Sequence, residues 1–277
     1  MKKLLSMMTA VLIAALALGC GGGGEKTAEQ TQPAAEQPAA QPMTSGAYMA
    51  MEVAGGGTIK GTITYAGEIP AMQKLEITKD VNVCGKEPHY KQDLVVGSNK
   101  GLGNVVVSLT NISQGKALAT LGTAFELDQN GCAFKPHVAL VPVGVELTIL
   151  NSDGILHNIH TYSEKNAAIN IAQPGFKKRM GQAFTQPEVI RVACDVHNWM
   201  GGYIVVVDHP YYAVTDDSGN FEIANVPPGT YTVQYWQETL GKQTAEVTVT
   251  EGAASDASFQ FPMGSASIEQ PAQYASR

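Results

Sequence analysis

The stretch VACDVHNWMGGYIVVVD, residues 192–208, sets Cys194, His197 and Met200 three residues apart, immediately before a run of β-branched residues. Upstream, in EVIRVAC, the period-2 alternation of a strand puts Ile190, Val192 and Cys194 on one face and Val189, Arg191 and Ala193 on the other. The charge of Arg191 marks its face as the outer one, so Cys194 points inward at the strand's end. The stretch therefore reads as a strand, a short loop rich in metal-binding side chains, and a returning strand, GGYIVVVD. Working outward, the same texture repeats from Thr58 on, in TIKGTITY, NVVVSLT, HVALVPV, VELTIL, NFEI, TYTVQYW and AEVTVT. Turn texts such as NSDG, DDSGN and NVPPGTY separate these runs, and none sustains a helical period, so the expectation is an all-β protein of sandwiches or barrels.

The beginning of the chain is of another kind. MKKLLSMMTAVLIAALALGC, residues 1–20, has a lysine pair, an apolar run and small residues before Cys20, the pattern of an export signal. Its ALGC end resembles the lipobox of bacterial lipoproteins, which implies lipidation of Cys20 and anchoring to a membrane, although Ala17 stands where that family usually has Leu; a plain cleaved signal is the alternative. Residues 21–57, rich in Gly, Ala, Gln, Pro and Glu, show neither hydrophobic period and read as a tether. As a flexible coil it would span about 30–35 Å. The protein is thus expected to be exported, periplasmic or at the cell surface. A net charge of −7, with no basic block longer than KKR at 177–179, excludes a phosphate-binding surface and with it nucleic acid as a partner.

Besides Cys20 the chain has Cys84, Cys132 and Cys194, an odd number for an oxidising compartment. Cys84 in NVCGKE and Cys132 in NGCAF sit in glycine-marked turns without a histidine at tight ligand spacing, and are the natural disulfide pair. Such a bridge closes a loop of about 49 residues and contributes roughly 4 kcal/mol on the chain-entropy estimate. Cys194 then remains free for chemistry.

The upstream segment LTILNSDGILHNIHTY, residues 147–162, brings further histidines directly after a strand. Two imidazoles, a thiolate and a weak thioether are the ligand set of trigonal His2Cys copper centres with an axial methionine, which transfer electrons. Here the two segments resemble the cupredoxin (plastocyanin and amicyanin) family over residues 137–208, which shares the CxxHxxM spacing and an HN.H text. The resemblance implies one copper ion, Cu(I)/Cu(II), held by His157, Cys194, His197 and Met200. It also implies that Asn158 ties the two ligand loops together with its amide facing the sulfur. His160 in place of His157, giving a zinc-type site of cysteine and histidines, stays open at this point. His137, opening an apolar strand, reads as structural; His89 and His209 read as turn or surface residues. Asp195 beside Cys194 does not make a catalytic triad, because triad members come from distant segments. Trp199 is either a core aromatic or part of an apolar collar around an exposed His197 edge, where such proteins meet redox partners. FKKRM, residues 176–180, reads as a solvated loop.

The C-terminal text AVTDDSGNFEIANVPPGTYTVQYW resembles the carboxypeptidase regulatory-like, transthyretin-type β-sandwich, a module that implies fold rather than activity. At about 50 residues it is short, and GTIKGTITYAG at 57–67 looks like the strand that opens such modules, so interleaving of the two ends is left open. The expected organisation is signal 1–20, tether 21–57, a Greek-key cupredoxin-like copper domain 58–208, a small transthyretin-like β-sandwich 209–262 and a flexible tail 263–277. The expected function is that of a one-electron carrier, not an enzyme, between redox proteins such as c-type cytochromes. The rival is a non-redox β-sandwich binding or adhesion lipoprotein with a copper storage or delivery site or a structural zinc. A nitrite-reductase fragment would need a second metal site, for which six scattered histidines are too few.

Overall fold

The computed structural model describes residues 48–263. The expected signal, Cys20, most of the tether and all but the first residue of the tail lie outside the described residues. Within them the protein is all-β, apart from single turns of α-helix at Val81–Cys84 and of 3-10 helix at Leu118–Leu121.

Four sheets lie in a stack with three apolar seams between them. The first has the strand order Arg179–Ala183, Glu146–Asn151, Glu126–Gln129, Phe134–Lys135. The second runs Asn170–Gln173, His157–Tyr162, Glu188–Ala193, Gly201–Val207, Val138–Pro142, and its last pair is parallel. The third runs Tyr212–Val214, Val106–Leu109, Gly229–Gln237, Gly241–Val249. In the fourth, Gly57–Tyr65 lies between Asn220–Val226 and Ala254–Asp256, with Phe259–Phe261 continuing beside it.

Side-chain alternation assigns the seams. Leu127, Leu147 and Ile149 of the first sheet meet Ile159, Ile190, Val192, Ile204 and Val206 of the second. The opposite face of the second sheet, Val138, Val205 and Val207, packs on Val106 and Trp236 of the third. The third sheet's other face, Val107, Leu109, Val233 and Tyr235, closes on Ile59, Ile63, Phe221 and Ile223 of the fourth. The run YIVVV around residue 205 is apolar throughout because its strand is covered on both sides, the condition under which alternation disappears.

Two expected boundaries are corrected. Gly57–Tyr65 and Val106–Leu109, placed by sequence in the copper domain, pair with Asn220–Val226 and Gly229–Gln237 of the C-terminal sandwich. The second sandwich is thus completed by strands from both ends of the chain, and the other sandwich, Glu126–Val207, is inserted between them. The physical reason is coverage: the C-terminal strands alone leave one face of their core and two sheet edges open, and period-2 alternation says that a strand is half buried without saying in which sheet. The fold also starts before Thr58. Met49–Ala50 pairs in parallel with Gln114–Gly115, and the Tyr48 hydroxyl donates to the Lys116 carbonyl at 2.6 Å, so the last residues of the expected tether are structured.

Between Tyr65 and Leu102 the chain makes an excursion. It leaves and returns beside one strand, where the Leu102 N–H donates to the Ile63 carbonyl, and narrows to a neck where the Leu75 N–H donates to the His89 carbonyl and the Lys91 N–H to the Gln73 carbonyl. Beyond the neck, Ile77, Val83 and Cys84 pack into the seam of the inserted sandwich, where Cys84 is disulfide-bonded to Cys132 as expected.

Candidate metal centre

Both candidate ligand segments arrive at the same end of the inserted sandwich. The strand Glu188–Ala193 delivers Cys194, 2% exposed, at its inward end. The following loop closes on itself: the Met200 N–H donates to the His197 carbonyl, and the Met200 carbonyl accepts from the Cys194 N–H. His157 opens the neighbouring strand after the NSDG turn, in which Gly154 takes the left-handed conformation (φ 74°) that a side chain disfavours. Asn151 holds that turn from beneath, its amide donating to the carbonyls of Ile155 and Gln173.

Three donor atoms converge. Cys194 Sγ lies 3.9 Å from His157 Nδ1 and 3.8 Å from His197 Nδ1, and the two Nδ1 atoms are 3.0 Å apart. The point equidistant from all three is about 2.1 Å from each, within the roughly 2.0–2.3 Å that first-row metals keep to imidazole nitrogen and thiolate sulfur. Both imidazoles are fully buried and have their far nitrogens committed. His157 Nε2–H donates to Asp153 at 2.9 Å, and His197 Nε2–H to Asp80 at 2.9 Å. Carboxylates on Nε2 orient both rings and turn both Nδ1 atoms toward each other and the sulfur. Such an arrangement could hold a metal ion between them.

The electrostatics agree. Burial pushes the Cys194 thiol up, but the hydrogen bond from His157 and the backbone N–H groups of Asn158, His197 and Val196 outweigh it, and the thiol lies below its ordinary value, favouring thiolate. Burial opposes charge on His157, yet Asp153 and the Cys194 sulfur push the imidazole up to about 9. His197 is lowered, by burial first and by the charge of His157, against the pull of Asp80. Asp153 is itself held below the usual carboxylate range: burial raises it, but hydrogen bonds from His157 and from the backbone N–H groups of Cys132 and Gly131 prevail.

The structure separates the sequence candidates. His157 faces Cys194; His160 points to the surface, where its Nδ1 meets Asp195 at 3.0 Å and its ring stacks on Tyr162. Met200, 3% exposed, shares the apolar cluster of Cys194. Asn158 joins the two loops, its Oδ1 accepting the Asp195 N–H, but its side-chain amide donates to Asn170 and Asp195; toward the sulfur it is the backbone N–H that points. The collar expected of Trp199 has no exposed imidazole edge to surround, since His197 is buried. Its indole N–H donates to the Cys132 carbonyl at 3.2 Å, and its ring lies 5.1 Å from that of His197. His137 pairs with Glu238, His89 Nε2–H donates to the Cys84 carbonyl, and His209 accepts the Tyr211 N–H, all outside the site.

Asp153 and Asp80 were missed by the sequence reading. Asp153 had a local signal, an acidic residue four positions before a candidate ligand. Asp80 had none, being separated from His197 by 117 residues.

A Cu-containing nitrite reductase from Thermus scotoductus SA-01 is similar to this chain at 23% identity and a TM-score of 0.27, covering 30% of this chain and 22% of that one, so the chain spans well under two thirds of that enzyme. An amicyanin variant in its Cu(I) form is similar at 23% identity over 31% of this chain and 84% of its own, with a TM-score of 0.28. A purple cupredoxin from Nitrosopumilus maritimus is similar at 21% identity over 30% and 98%, with a TM-score of 0.25. No curated protein matches the sequence. One family model does: residues 200–262 match the carboxypeptidase regulatory-like domain.

Proposed function

We propose that this protein is a type 1 copper protein, carrying one electron at a time between redox partners. The observation that carries the reading is the buried triangle of His157 Nδ1, His197 Nδ1 and Cys194 Sγ, with both histidines backed by carboxylates. Copper, when bound, supplies the Cu(I)/Cu(II) couple. Two imidazoles and a thiolate suit it in both oxidation states, and Met200, buried in the same apolar cluster as Cys194, would supply the weak thioether donor. The work of the chain is to hold these donors still: the closed loop from Cys194 to Met200 and the Asn158 link keep ligand positions common to both states, so little reorganisation accompanies transfer. The export-type signal and Cys20 favour a lipid-anchored protein outside the cytoplasm, and the partners we propose are redox proteins such as c-type cytochromes.

The test is Cu(II) titration of the purified chain beside Cys194→Ser. An intense thiolate-to-copper absorption band is expected in the wild type and its loss in the variant; a wild type that binds copper without such a band would sink the reading. One observation favours a second reading, copper storage or delivery: His197 has no exposed edge. Voltammetry separates them, since a carrier gives a reversible couple and a store does not.

A further inference from the structure

The carboxylate that backs His197 comes from the excursion between Tyr65 and Leu102. Asp80 stands at the start of the Val81–Cys84 turn, in the excursion that leaves and rejoins the strand Gly57–Tyr65. Its carboxylate, 38% exposed, lies between the His197 ring, 0% exposed, and solvent. Three fastenings hold it there. The N–H groups of Val83 and Cys84 donate to its own carbonyl, Ile77 and Val83 pack into the seam of the inserted sandwich, and Cys84, four residues on, is bridged to Cys132. Cys132 is in turn held to the opposite wall of the site, its N–H donating to Asp153, which backs His157. One disulfide thus joins the segments carrying both carboxylates that orient the two histidines.

We propose that residues 73–91 form a disulfide-fastened cap whose Asp80 positions His197 for metal and seals the site, so that the excursion from the strand Gly57–Tyr65 controls copper retention. This rests on the copper reading above. With the cap seated, the imidazole offers only Nδ1 to the site and nothing to solvent, and copper leaves only when the cap lifts. A negative charge on the far nitrogen also stabilises the oxidised ion more than the reduced one.

The experiment uses the full chain, copper-loaded, as wild type, Asp80→Ala, Asp80→Asn and the double variant Cys84→Ser/Cys132→Ser. It reads the thiolate band, the midpoint potential, and the rate of Cu(I) release to a Cu(I)-selective chelator. Asp80→Ala is expected to keep the band, raise the potential and speed release about 10- to 100-fold, the usual effect of removing a carboxylate behind a ligating histidine. Asp80→Asn, which still accepts the Nε2–H bond, is expected to raise the potential with release close to wild type. The bridge-less variant should release like Asp80→Ala; if it fails to fold, Asp80→Ala decides alone, with its bridge intact. In the metal-free protein, nitrogen chemical shifts should show His197 as the Nε2–H tautomer in the wild type and as a mixture in Asp80→Ala. Wild-type release and potential in Asp80→Ala, with the band present, would overturn the cap while leaving the copper reading standing. Absence of the band in the wild type would overturn the copper reading and the cap with it.

Discussion

The two sandwiches share one stack but bury different chemistry. The one with the candidate metal centre encloses His157, His197, Cys194, Asn151, Gln129 and Gln173, the two glutamines hydrogen-bonded side chain to side chain at 2.6 Å. The other encloses mainly aromatic and aliphatic side chains, and its buried polar groups bond chiefly to backbone: the Tyr235 hydroxyl donates to the Ala257 carbonyl, the Thr215 hydroxyl donates to the Leu102 carbonyl and accepts the Val105 N–H, and the Gln237 amide donates to the Asp93 carbonyl. A core of the second kind is made of transfer free energy and tolerates trimming with graded loss. One of the first kind is held by matched partners, each deletion leaving another group unsatisfied. The difference teaches where function is lodged: the apolar sandwich is a frame, and the polar one is a socket set into it.

The largest test of that division is the bridge. Removing it with Cys84→Ser/Cys132→Ser should cost about 4 kcal/mol for the 48-residue separation, read as a lowered urea midpoint of the inserted sandwich. If a single transition of the whole protein moves instead, frame and socket unfold as one. Next, Ile63→Ala, fully buried in the frame, should cost about 2–5 kcal/mol while leaving the copper absorption band at its wild-type position. A shifted band would show that the frame's core reaches the ligands through the cap. The smallest effect is at Glu188, whose carboxylate accepts the N–H groups of Glu164, Lys165 and Asn166 at the edge of the socket. Burial raises this acid, but those bonds prevail and lower it, so its stabilisation is present above its ordinary value near 4.5 and is lost as the pH falls through the depressed one. Glu188→Gln should cost about 1 kcal/mol at neutral pH and flatten the acid limb of a stability–pH curve.

Much of this was legible in the residues. Alternation in EVIRVAC placed Cys194 inward, and the CxxHxxM text together with LHNIH placed the donors on two adjacent strand ends, since each lies next to its strand in sequence. The disulfide followed from parity and from turn glycines. What was not legible depends on contacts that no local pattern encodes. TIKGTITY looks the same whether it completes its own sheet or one made by residues 220–226. The choice between His157 and His160 needed the strand's first inward residue, which the turn before it sets. The burial of His197 and the backing of its far nitrogen by Asp80 depend on a segment whose own sequence carries no metal-site pattern.

The inserted topology bears on the order in which the chain is finished. Thr62, whose hydroxyl donates to the Asn220 side chain, waits 158 residues for its partner strand, whereas every proposed ligand and both bridge cysteines have been synthesised by Met200. Pairings so distant in sequence close late, because the loop entropy is lost before any contact compensates it. The socket can therefore assemble, and its bridge form, while the frame is still an incomplete set of strands. Completing the frame is then the last step of maturation, the one that anchors the base of the cap after the interior it covers has been built.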